Sequence, residues 1–364
     1  MQKKLIALAV AGLASTAAFA QSNVTIYGIV DAGFVSSSGD RTGAGGSANY
    51  NGIDSGNWAG SRIGFRGEEG LGNGLKAVFT LEYGLVNDQN QGIGTAGTVA
   101  RQQFVGLSSA KLGTVALGRQ YAPGFIASVR NDAFAGSPVG SPLQILSNAG
   151  NHSISASGRS RINNSITYTS PVMAGFQAKA IYGYGENNAG INGISTGNDG
   201  FVGVGLSYTN GPIAVDAVYQ SQADRVVAGV GTSKDVDNWM LAGSYDFKVA
   251  KLFAVYQTQE NDTLSGAASV DNKLWNLGVT VPVFGNGKVH ASYGKLNWDR
   301  SGAGDSTSVA VGYTHALSKR TSLYTTYIRT DNDRNALAAA GSITQTRFVG
   351  ETNDTFMAGV THTF

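Results

Sequence analysis

Apolar and polar residues alternate with a period of two in many short segments of this 364-residue chain. In one of them Val202, Val204 and Leu206 are separated by Gly203 and Gly205. Further segments of this kind lie at residues 213–220, 239–247, 275–281 and 308–313. Successive side chains of a strand point to opposite faces of a sheet, so each segment predicts a strand with one apolar face. Because no helical period is sustained after residue 20, the sequence predicts an all-β protein.

The first twenty residues have the parts of a secretory signal peptide. Lys3 and Lys4 precede an apolar run at residues 5–13, and small residues flank Phe19 before Gln21. The apolar run is too short to span a membrane, so we predict cleavage after Ala20. The chain has no Cys, so disulfides do not stabilise the exported protein, and extensive backbone pairing or a large core must do so.

Charge and hydropathy exclude several classes of protein. The chain has 26 basic and 24 acidic side chains, and the two lysines of the signal peptide leave 24 of each in residues 21–364. A net charge of zero argues against a nucleic-acid partner. Charged residues make up 14%, against about 25% in ordinary soluble domains. No segment after the signal approaches the ~20 apolar residues of a membrane helix.

The connections between the predicted strands alternate between tight turns and long polar loops. Tight turns include residues 71–74 and 284–287, and the long loops lie at 35–56, 87–98, 120–158 and 332–350. Counting the segments between these connections gives sixteen strands. Short turns at one end and long loops at the other are typical of an outer-membrane barrel, and the even count places both termini at the periplasmic end.

A secreted β-sandwich or adhesin also has alternating strands and glycine-rich turns, so it is the main alternative fold. Aromatic residues near strand ends favour the barrel, because they form girdles at membrane interfaces. These residues are Tyr182, Tyr184, Tyr245, Phe247, Tyr324 and Tyr327. The last strand is apolar or aromatic at nearly every second position from Phe356 to Phe364. We therefore predict an all-β, sixteen-stranded antiparallel transmembrane β-barrel at residues 21–364.

Several segments, in order along the mature chain, resemble the Gram-negative general porins of the betaproteobacterial type. These segments are residues 23–31, 61–69, 71–75, 104–107, 117–120, 164–168 and 317–324. The resemblance implies a homotrimer in the bacterial outer membrane, in contact with lipid and lipopolysaccharide, that forms a water-filled channel for passive diffusion of small hydrophilic solutes and ions. It also implies that the third long loop, at about 120–158, folds into the lumen as a constriction loop. The terminal Phe364 resembles the signal that the barrel-assembly machinery recognises.

Basic residues of the predicted strands are candidates for the pore constriction and its ion selectivity. Arg62 and Arg66 lie opposite apolar Ile63 and Phe65 in their strand, and an arginine facing lipid at mid-membrane costs about 2–4 kcal/mol, so we expect them to face the lumen. The remaining candidates are placed by the same alternation or by their position at the loop. Arg159 and Arg161 lie opposite Ile162, Ile166 and Tyr168, and Arg101 lies opposite Phe104. Arg119 ends its strand at the loop, and the loop adds Arg130 and a single acid, Asp132.

Two interpretations of these arginines remain open. They form a cationic ladder that biases ion passage, or they bond loop carbonyls and neighbouring acids and hold the loop in place. Lys76 and Glu82 also face inward on their strand, so they either pair with the ladder or offset it. Enterobacterial relatives carry a Pro-Glu-Phe-Gly-Gly stretch in the inserted loop, whereas residues 123–125 here are Pro-Gly-Phe without the acid. We therefore predict a weak to moderate preference for anions.

Other functions are less well supported by the sequence. A substrate-specific channel would stack sugars on aromatic residues, and Tyr121 and Phe125 are the aromatics near the start of the inserted loop. A structural or adhesive barrel with a plugged lumen is a further alternative. Matches to G-x-S-x-G at 193–197 and to G-x-G-x-x-G at 92–97 lack the strand-and-helix context that such motifs need. The four histidines show no metal-ligand spacing, so we predict no enzyme, cofactor or metal site.

Overall fold

The computed structural model describes residues 23–40, 47–93, 100–157, 160–185, 200–223, 226–227, 231–232, 235–261, 271–299, 304–333, 335–338 and 348–364. The predicted signal peptide at residues 1–20 lies outside them. No helix among the described residues is long and apolar enough to cross a membrane.

Nearly all of the described structure is β-strand. The strands are β1 Asn23–Asp40, β2 Ser47–Ser55, β3 Arg62–Gly72, β4 Leu75–Gly84, β5 Ala100–Ser109, β6 Gly113–Tyr121, β7 Arg161–Thr169, β8 Phe176–Gly183, β9 Phe201–Asn210, β10 Ile213–Ala223, β11 Val226–Val227, β12 Gly231–Thr232, β13 Asp235–Asp246, β14 Lys251–Asn261, β15 Asn272–Val283, β16 Gly287–Trp298, β17 Ser306–Ala316, β18 Thr321–Asn332 and β19 Asn353–Thr363. The helices are α1 Pro123–Arg130 and α2 Pro142–Ala149.

Across the described residues, seventeen of these strands form one sheet that closes on itself. Apart from β2 and β3, each strand of the sheet pairs antiparallel with its neighbour along the chain, β10 pairs with β13, and β1 closes the sheet by pairing with β19. Both β2 and β3 pair with the same edge of β1, β2 along residues 32–40 and β3 along residues 23–29. They therefore form one interrupted strand, and the prediction of a sixteen-stranded antiparallel barrel is confirmed.

The predicted alternation of faces is confirmed in the wall of the barrel. In β13, Trp239 is 56% exposed and Leu241 is similarly exposed, whereas Met240 between them is 3% exposed. Apolar side chains thus cover the outer face, where they contact lipid, and polar or small side chains cover the inner face. Closure of the sheet also leaves no unpaired edge strand, which a lipid environment requires of a sheet.

The aromatic girdle includes one residue fewer than predicted. Tyr327 is 48% exposed on the outer face, but Tyr324 is 4% exposed and lies on the inner face. The two residues are three positions apart, and an odd spacing places two side chains on opposite faces of a strand. Assigning both to the girdle was therefore wrong.

Residues 35–40 and 47–55 continue the sheet as strands, although the sequence predicted a long loop at 35–56. Strand β1 continues to Asp40, and its residues pair with β19 on one side and with β2 on the other. The Ser- and Gly-rich sequence has little intrinsic strand preference. Hydrogen bonding to two neighbouring strands, and not local propensity, therefore keeps this segment extended.

The predicted strand that carries Arg62 and Arg66 begins at Arg62, and residues 56–61 before it leave the sheet. Gly56 has a φ of 74°, which suits glycine, and its N–H donates to the carbonyl of Asp31. The carboxylate of Asp31 accepts hydrogen bonds from the backbone N–H groups of Trp58 and Ala59 at 3.4 and 3.3 Å. A buried acid of β1 therefore holds this break in the wall.

The long connection after β6 contains two helices, although the sequence predicted none beyond residue 20. Both helices have eight residues, which is little more than two turns and too short to show a periodic pattern. Their start signals are local: each has a proline in its first turn, and the Ser141 side chain accepts a hydrogen bond from the Gln144 N–H. Tertiary packing, not length, must stabilise them.

The segment of residues 122–157, which we call the packed segment, lies against the polar face of the strands. Helix α1 contacts β6, β8, β9, β10 and β13, and α2 contacts β15, β16 and β17. Buried amide side chains of successive strands bond its backbone or side chains, and we call them the wall amides. They are Gln220, Asn238, Gln257, Gln259 and Asn272. Each of the strands β10, β13, β14 and β15 thus contributes at least one wall amide that holds the packed segment.

Replacing a wall amide should loosen the packed segment. Gln220 accepts a hydrogen bond from the Gly124 N–H at 2.8 Å and donates one to Ser153 Oγ at 3.0 Å, so Gln220→Ala leaves buried groups unpaired at a cost of about 1–3 kcal/mol. We expect faster protease cleavage within residues 122–157 of the folded protein. Gln222→Ala, two residues further on the same face, is the matched control. Equal cleavage rates for the two variants would contradict this role of Gln220.

Candidate functional site

A cavity of about 470 Å³ lies between the packed segment and the opposite part of the wall. On the wall side, its lining includes Arg62, Arg101 and Arg161. The end of β2 contributes Asp54 and Ser55, and the break after it contributes Gly56, Asn57, Ala59 and Gly60. The packed segment contributes Phe125, Val129, Ala135, Gly136, Pro138, Val139, Asn148, Ala156 and Ser157. One side of the cavity is therefore basic and the other is mainly apolar or small.

The three arginines come from three different strands, and two of them, Arg62 and Arg101, meet beside Gly60. Arg62 Nε donates a hydrogen bond to the Gly60 carbonyl at 2.9 Å. A Cβ at residue 60 would lie 3.2 Å from Arg101 Nη1, so a side chain there would crowd this guanidinium. Glycine at this position lets the backbone approach the arginines closely.

Glu82 fixes the position of Arg101. Its Oε1 accepts hydrogen bonds from Arg101 Nε at 2.8 Å and from Tyr121 Oη at 2.6 Å, and its Oε2 accepts one from Tyr27 Oη at 2.9 Å. The cavity is surrounded by three arginines, Arg62, Arg101 and Arg161, and by two acids, Glu82 and Asp54. Their net charge is one positive charge in excess. The inward position predicted for Glu82 agrees with this geometry, and pairing was one of its two predicted roles.

Arg161 lies over aromatic rings. The Tyr121 and Phe125 rings stack with their centroids 3.8 Å apart and an angle of 4° between the ring planes. The Arg161 guanidinium carbon lies 5.7 Å from the first centroid and 5.4 Å from the second, within the range of a cation–π contact. Within the described residues no carboxylate pairs with Arg161, and its buried Nε makes no hydrogen bond.

Arg66 lies on the same face as Arg62 but four residues closer to the tight turn, outside the lining of the cavity. Its guanidinium carbon is 5.2 Å from the centroid of the Tyr27 ring. Arg159 lies outside the described residues.

Arg130 and Asp132 do not line the cavity. Arg130 forms a two-pronged ion pair with Asp216 of β10, with Nε 2.9 Å from Oδ2, so its charge is compensated and it anchors α1. Asp132 is buried within the packed segment and accepts hydrogen bonds from Ser141 Oγ and from the N–H groups of Phe134 and Gly136. Burial raises the pKa of its carboxyl above the ordinary value.

Arg119 fits the holding role that the sequence analysis left open. Its Nε donates to the Ala100 carbonyl at 2.6 Å, and Nη1 donates to the Arg161 carbonyl at 3.2 Å. It lies opposite Gln103 in the register and outside the cavity lining. Arg119 therefore ties three strand ends together beside the start of the packed segment.

Two face assignments behind the sequence argument were wrong because the register shifts. Phe104 was expected opposite Arg101, but Val105 is exposed on the outer face, so Phe104 shares the inner face. A shift beside Glu82 brings Arg101 to that same face. Ile162 was expected to face outward, yet it packs against buried Ile181 on the inner face, next to a second shift in the pairing of β6 with β7.

The sequence analysis missed the break at residues 56–61 and the groups that hold it. Asp31 accepts a hydrogen bond from Tyr324 Oη at 3.0 Å in addition to those from the break. The Trp58 ring lies 5.8 Å from Tyr324 and 6.0 Å from Phe134 of the packed segment. The Ser137 hydroxyl also donates to the Asn57 carbonyl at 2.8 Å. An acid in an otherwise apolar first strand was the only signal of this arrangement.

Comparisons with known proteins agree with this architecture. A family model described as Gram-negative porin matches residues 7–335. The chain is 34% identical to outer membrane porin protein 32 of Delftia acidovorans, over 89% of this chain and 88% of that protein. It is 30% identical to an outer membrane porin protein of Bordetella pertussis, over 89% and 93% of the two chains. A solved anion-selective porin from Comamonas acidovorans superposes with a TM-score of 0.79 at 27% identity, covering 94% of this chain and all of that one.

Removing the charge of Glu82 should destabilise the barrel more than removing that of Glu68. The side chains of Glu82 and Arg101 are only 5% and 10% exposed, so Glu82→Gln leaves a buried arginine uncompensated at a cost of about 3–5 kcal/mol. Glu68 and Lys76 are 56% and 50% exposed, and such pairs contribute about 0–1 kcal/mol. Unfolding free energies of the detergent-solubilised variants would measure both. Equal losses would show that Glu82 and Arg101 are not a buried pair.

Proposed function

The chain belongs to the Gram-negative porin family and is a bacterial outer-membrane channel for small hydrophilic solutes, and we propose that this channel favours small anions. The observation that carries the proposal is the excess of positive charge around the cavity at Arg62, Arg101 and Arg161. Rings of charged side chains bias which ions cross a pore, and arginine keeps its charge at any physiological pH. The printed description of the Comamonas acidovorans porin as anion-selective supports the same preference.

Arg161 is the residue that we propose to contact passing anions most directly. Its buried Nε lacks a hydrogen-bond partner among the described residues, whereas buried donors are normally paired. Its guanidinium is positioned by two aromatic rings and not by a carboxylate, so its charge is not compensated locally. Arg62 adds a second charge, and Glu82 compensates most of the charge of Arg101.

We further propose that the packed segment lies within the lumen and acts as the constriction loop, at about residues 120–158. Its contacts extend over strands from β6 to β17 on their polar face, which is more than half of the circumference of the barrel. The wall amides support a fixed constriction, because they bond the segment at several points. The lumen would then be narrowed to the passage beside the three arginines.

The rival functions make different predictions for transport. A substrate-specific channel would show saturable block of the conductance by one solute, and a plugged adhesive barrel would show no conductance. The Tyr121 and Phe125 rings are 7% and 9% exposed and face each other, so they do not present an aromatic surface to sugars. The relatives are porins, which are channels and not enzymes.

Assembly and export are part of the same proposal. We propose a homotrimer in contact with lipid and lipopolysaccharide, and an assembly signal at Phe364 for the barrel-assembly machinery. Phe364 is exposed on the outer face, and its backbone pairs with Gly28 of β1. The Phe364 ring is therefore accessible from outside the barrel, although the Phe364 backbone is already hydrogen-bonded to β1.

Cleavage of the signal peptide after Ala20 is directly measurable. We expect intact mass spectrometry of protein purified from outer membranes to give a chain that begins at Gln21. A mass that includes residues 1–20 would contradict the predicted cleavage.

Neutralising Arg161 should reduce the anion preference. A unit charge about 4 Å from an ion in water contributes about 1 kcal/mol, so we expect Arg161→Gln to lower the chloride-to-potassium permeability ratio by up to about fivefold. Reversal potentials across a planar bilayer in a KCl gradient give this ratio. Arg329→Gln is the control, because Arg329 is exposed on the outer face and pairs with Asp331 and Asp354. A cation-selective wild-type channel would overturn the proposed preference.

A further inference from the structure

A second group of basic side chains lies on the inner face, nearer to the tight turns than the arginine-lined cavity. Its members are Arg66, Lys179, Lys251 and Lys288. Within the described residues, no carboxylate lies within 4.0 Å of any of them, in contrast to Lys76, Lys273 and Lys295. None of the four lines the cavity, so this group is separate from the proposed selectivity site.

Lys251 and Lys288 occupy one region of the wall. In β14, Phe253 and Val255 are buried and Leu252 is exposed, so Lys251 faces inward with the odd-numbered residues. The Lys251 Nζ lies 4.9 Å from the centroid of the Phe253 ring. In β16, His290 and Ser292 are buried on the inner face, which places Lys288 on the same face.

The register brings hydroxyl groups next to both lysines. Lys251 lies directly opposite Thr280, and Lys288 lies directly opposite Thr314. Thr280 in turn lies opposite His290, two residues from Lys288. Adjacent strands are about 4.8 Å apart and each residue rises about 3.3 Å, so an offset of two strands and two residues separates the two lysines by about 12 Å. The Thr314 hydroxyl donates to His290 Nε2 at 2.9 Å, because His290 Nδ1 donates to the Ala133 carbonyl. The two ammonium groups and the Thr280 hydroxyl between their strands thus form one patch of donors.

The other two basic residues lie across the barrel from this patch. Lys179 donates a hydrogen bond from Nζ to the Tyr121 carbonyl at 2.6 Å, directly before the packed segment begins. Arg66 follows Arg62 on the inner face toward the tight turn. Positive charge therefore continues from the cavity toward the turn end on this side as well.

The acids of this half of the inner face do not cancel the group. Glu68 pairs with Lys76 at 2.8 Å, and Asp216 pairs with Arg130. Asp246 lies directly opposite Lys251 in the register, but the two form no ion pair within 4.0 Å, and the Asp246 carboxylate accepts a hydrogen bond from the Lys248 N–H at 2.8 Å. Counting Asp246 against Lys251 and Lys288 leaves one positive charge in excess in this part of the wall.

We propose that Lys251 and Lys288, with Thr280, form a second anion-attracting patch at the periplasmic mouth of the channel. This inference rests on the proposed function, since the patch matters only if the lumen conducts. Anions that pass the arginines would meet further positive charge before they leave, and anions that enter from the periplasm would be concentrated ahead of the constriction. The patch makes the selectivity of the channel a property of two separate regions.

The test neutralises the patch without touching the arginines. In 0.1 M KCl the screening length is about 10 Å, so we expect Lys251→Gln with Lys288→Gln to lower the chloride-to-potassium permeability ratio by about 1.5-fold. In 1 M KCl the screening length falls to about 3 Å, and we expect the difference to vanish. The matched control is Lys273→Gln with Lys295→Gln, whose lysines lie on β15 and β16 but face outward and are paired.

A cysteine variant distinguishes charge from structural damage. The chain has no Cys, so Lys288→Cys provides a single thiol for thiosulfonate reagents. A trimethylammonium reagent should restore the permeability ratio, and a sulfonate reagent should lower it further. Ratios that stay unchanged in the double variant, while the wild-type channel is anion-selective, would overturn the patch alone. A cation-selective wild-type channel would instead overturn the proposed function.

Discussion

The hydrogen bonding of β1 along both of its edges is the constraint on which the rest of the structure depends. One edge pairs with β19 and the other with β2 and β3, so the first strand closes the ladder that the lipid environment requires. Closure also creates an inner face, and all of the chemistry described above lies on it. The apolar outer face, in contrast, needs only to match lipid, and scattered aromatic and aliphatic residues satisfy it.

The inner face serves two purposes that compete for the same positions. On one side, the wall amides and His290 bond the packed segment, and His290 Nδ1 lies 2.8 Å from the Ala133 carbonyl. On the other side, Arg62, Arg101 and Arg161 line the cavity. Amides suit the first task because they donate and accept without adding charge, and guanidinium groups suit the second because they keep their charge. The asymmetry of the wall therefore follows from the side-chain chemistry of each strand.

The arginines show how far a sequence argument reaches in such a barrel. Alternation identified Arg62 and Arg161 as inward because each strand has a clear apolar face. Alternation could not distinguish arginines that line the cavity from arginines whose charge an acid compensates. The acid that compensates Arg130 is Asp216, which lies 86 residues away in the chain. Arg101 reached the inner face through a register shift beside Glu82, and such a shift leaves no mark in the periodicity.

The sequence by itself determined the strand count, the two faces of the wall and the even alternation of short and long connections, because these depend on local periodicity and turn chemistry. Only the tertiary structure decided where the packed segment lies, that residues 56–61 leave the sheet, and which arginines remain uncompensated. These features depend on contacts between residues that are distant in the chain, such as Asp31 with Tyr324. A pattern of period two carries no information about such pairs, so they arise only when the sheet closes.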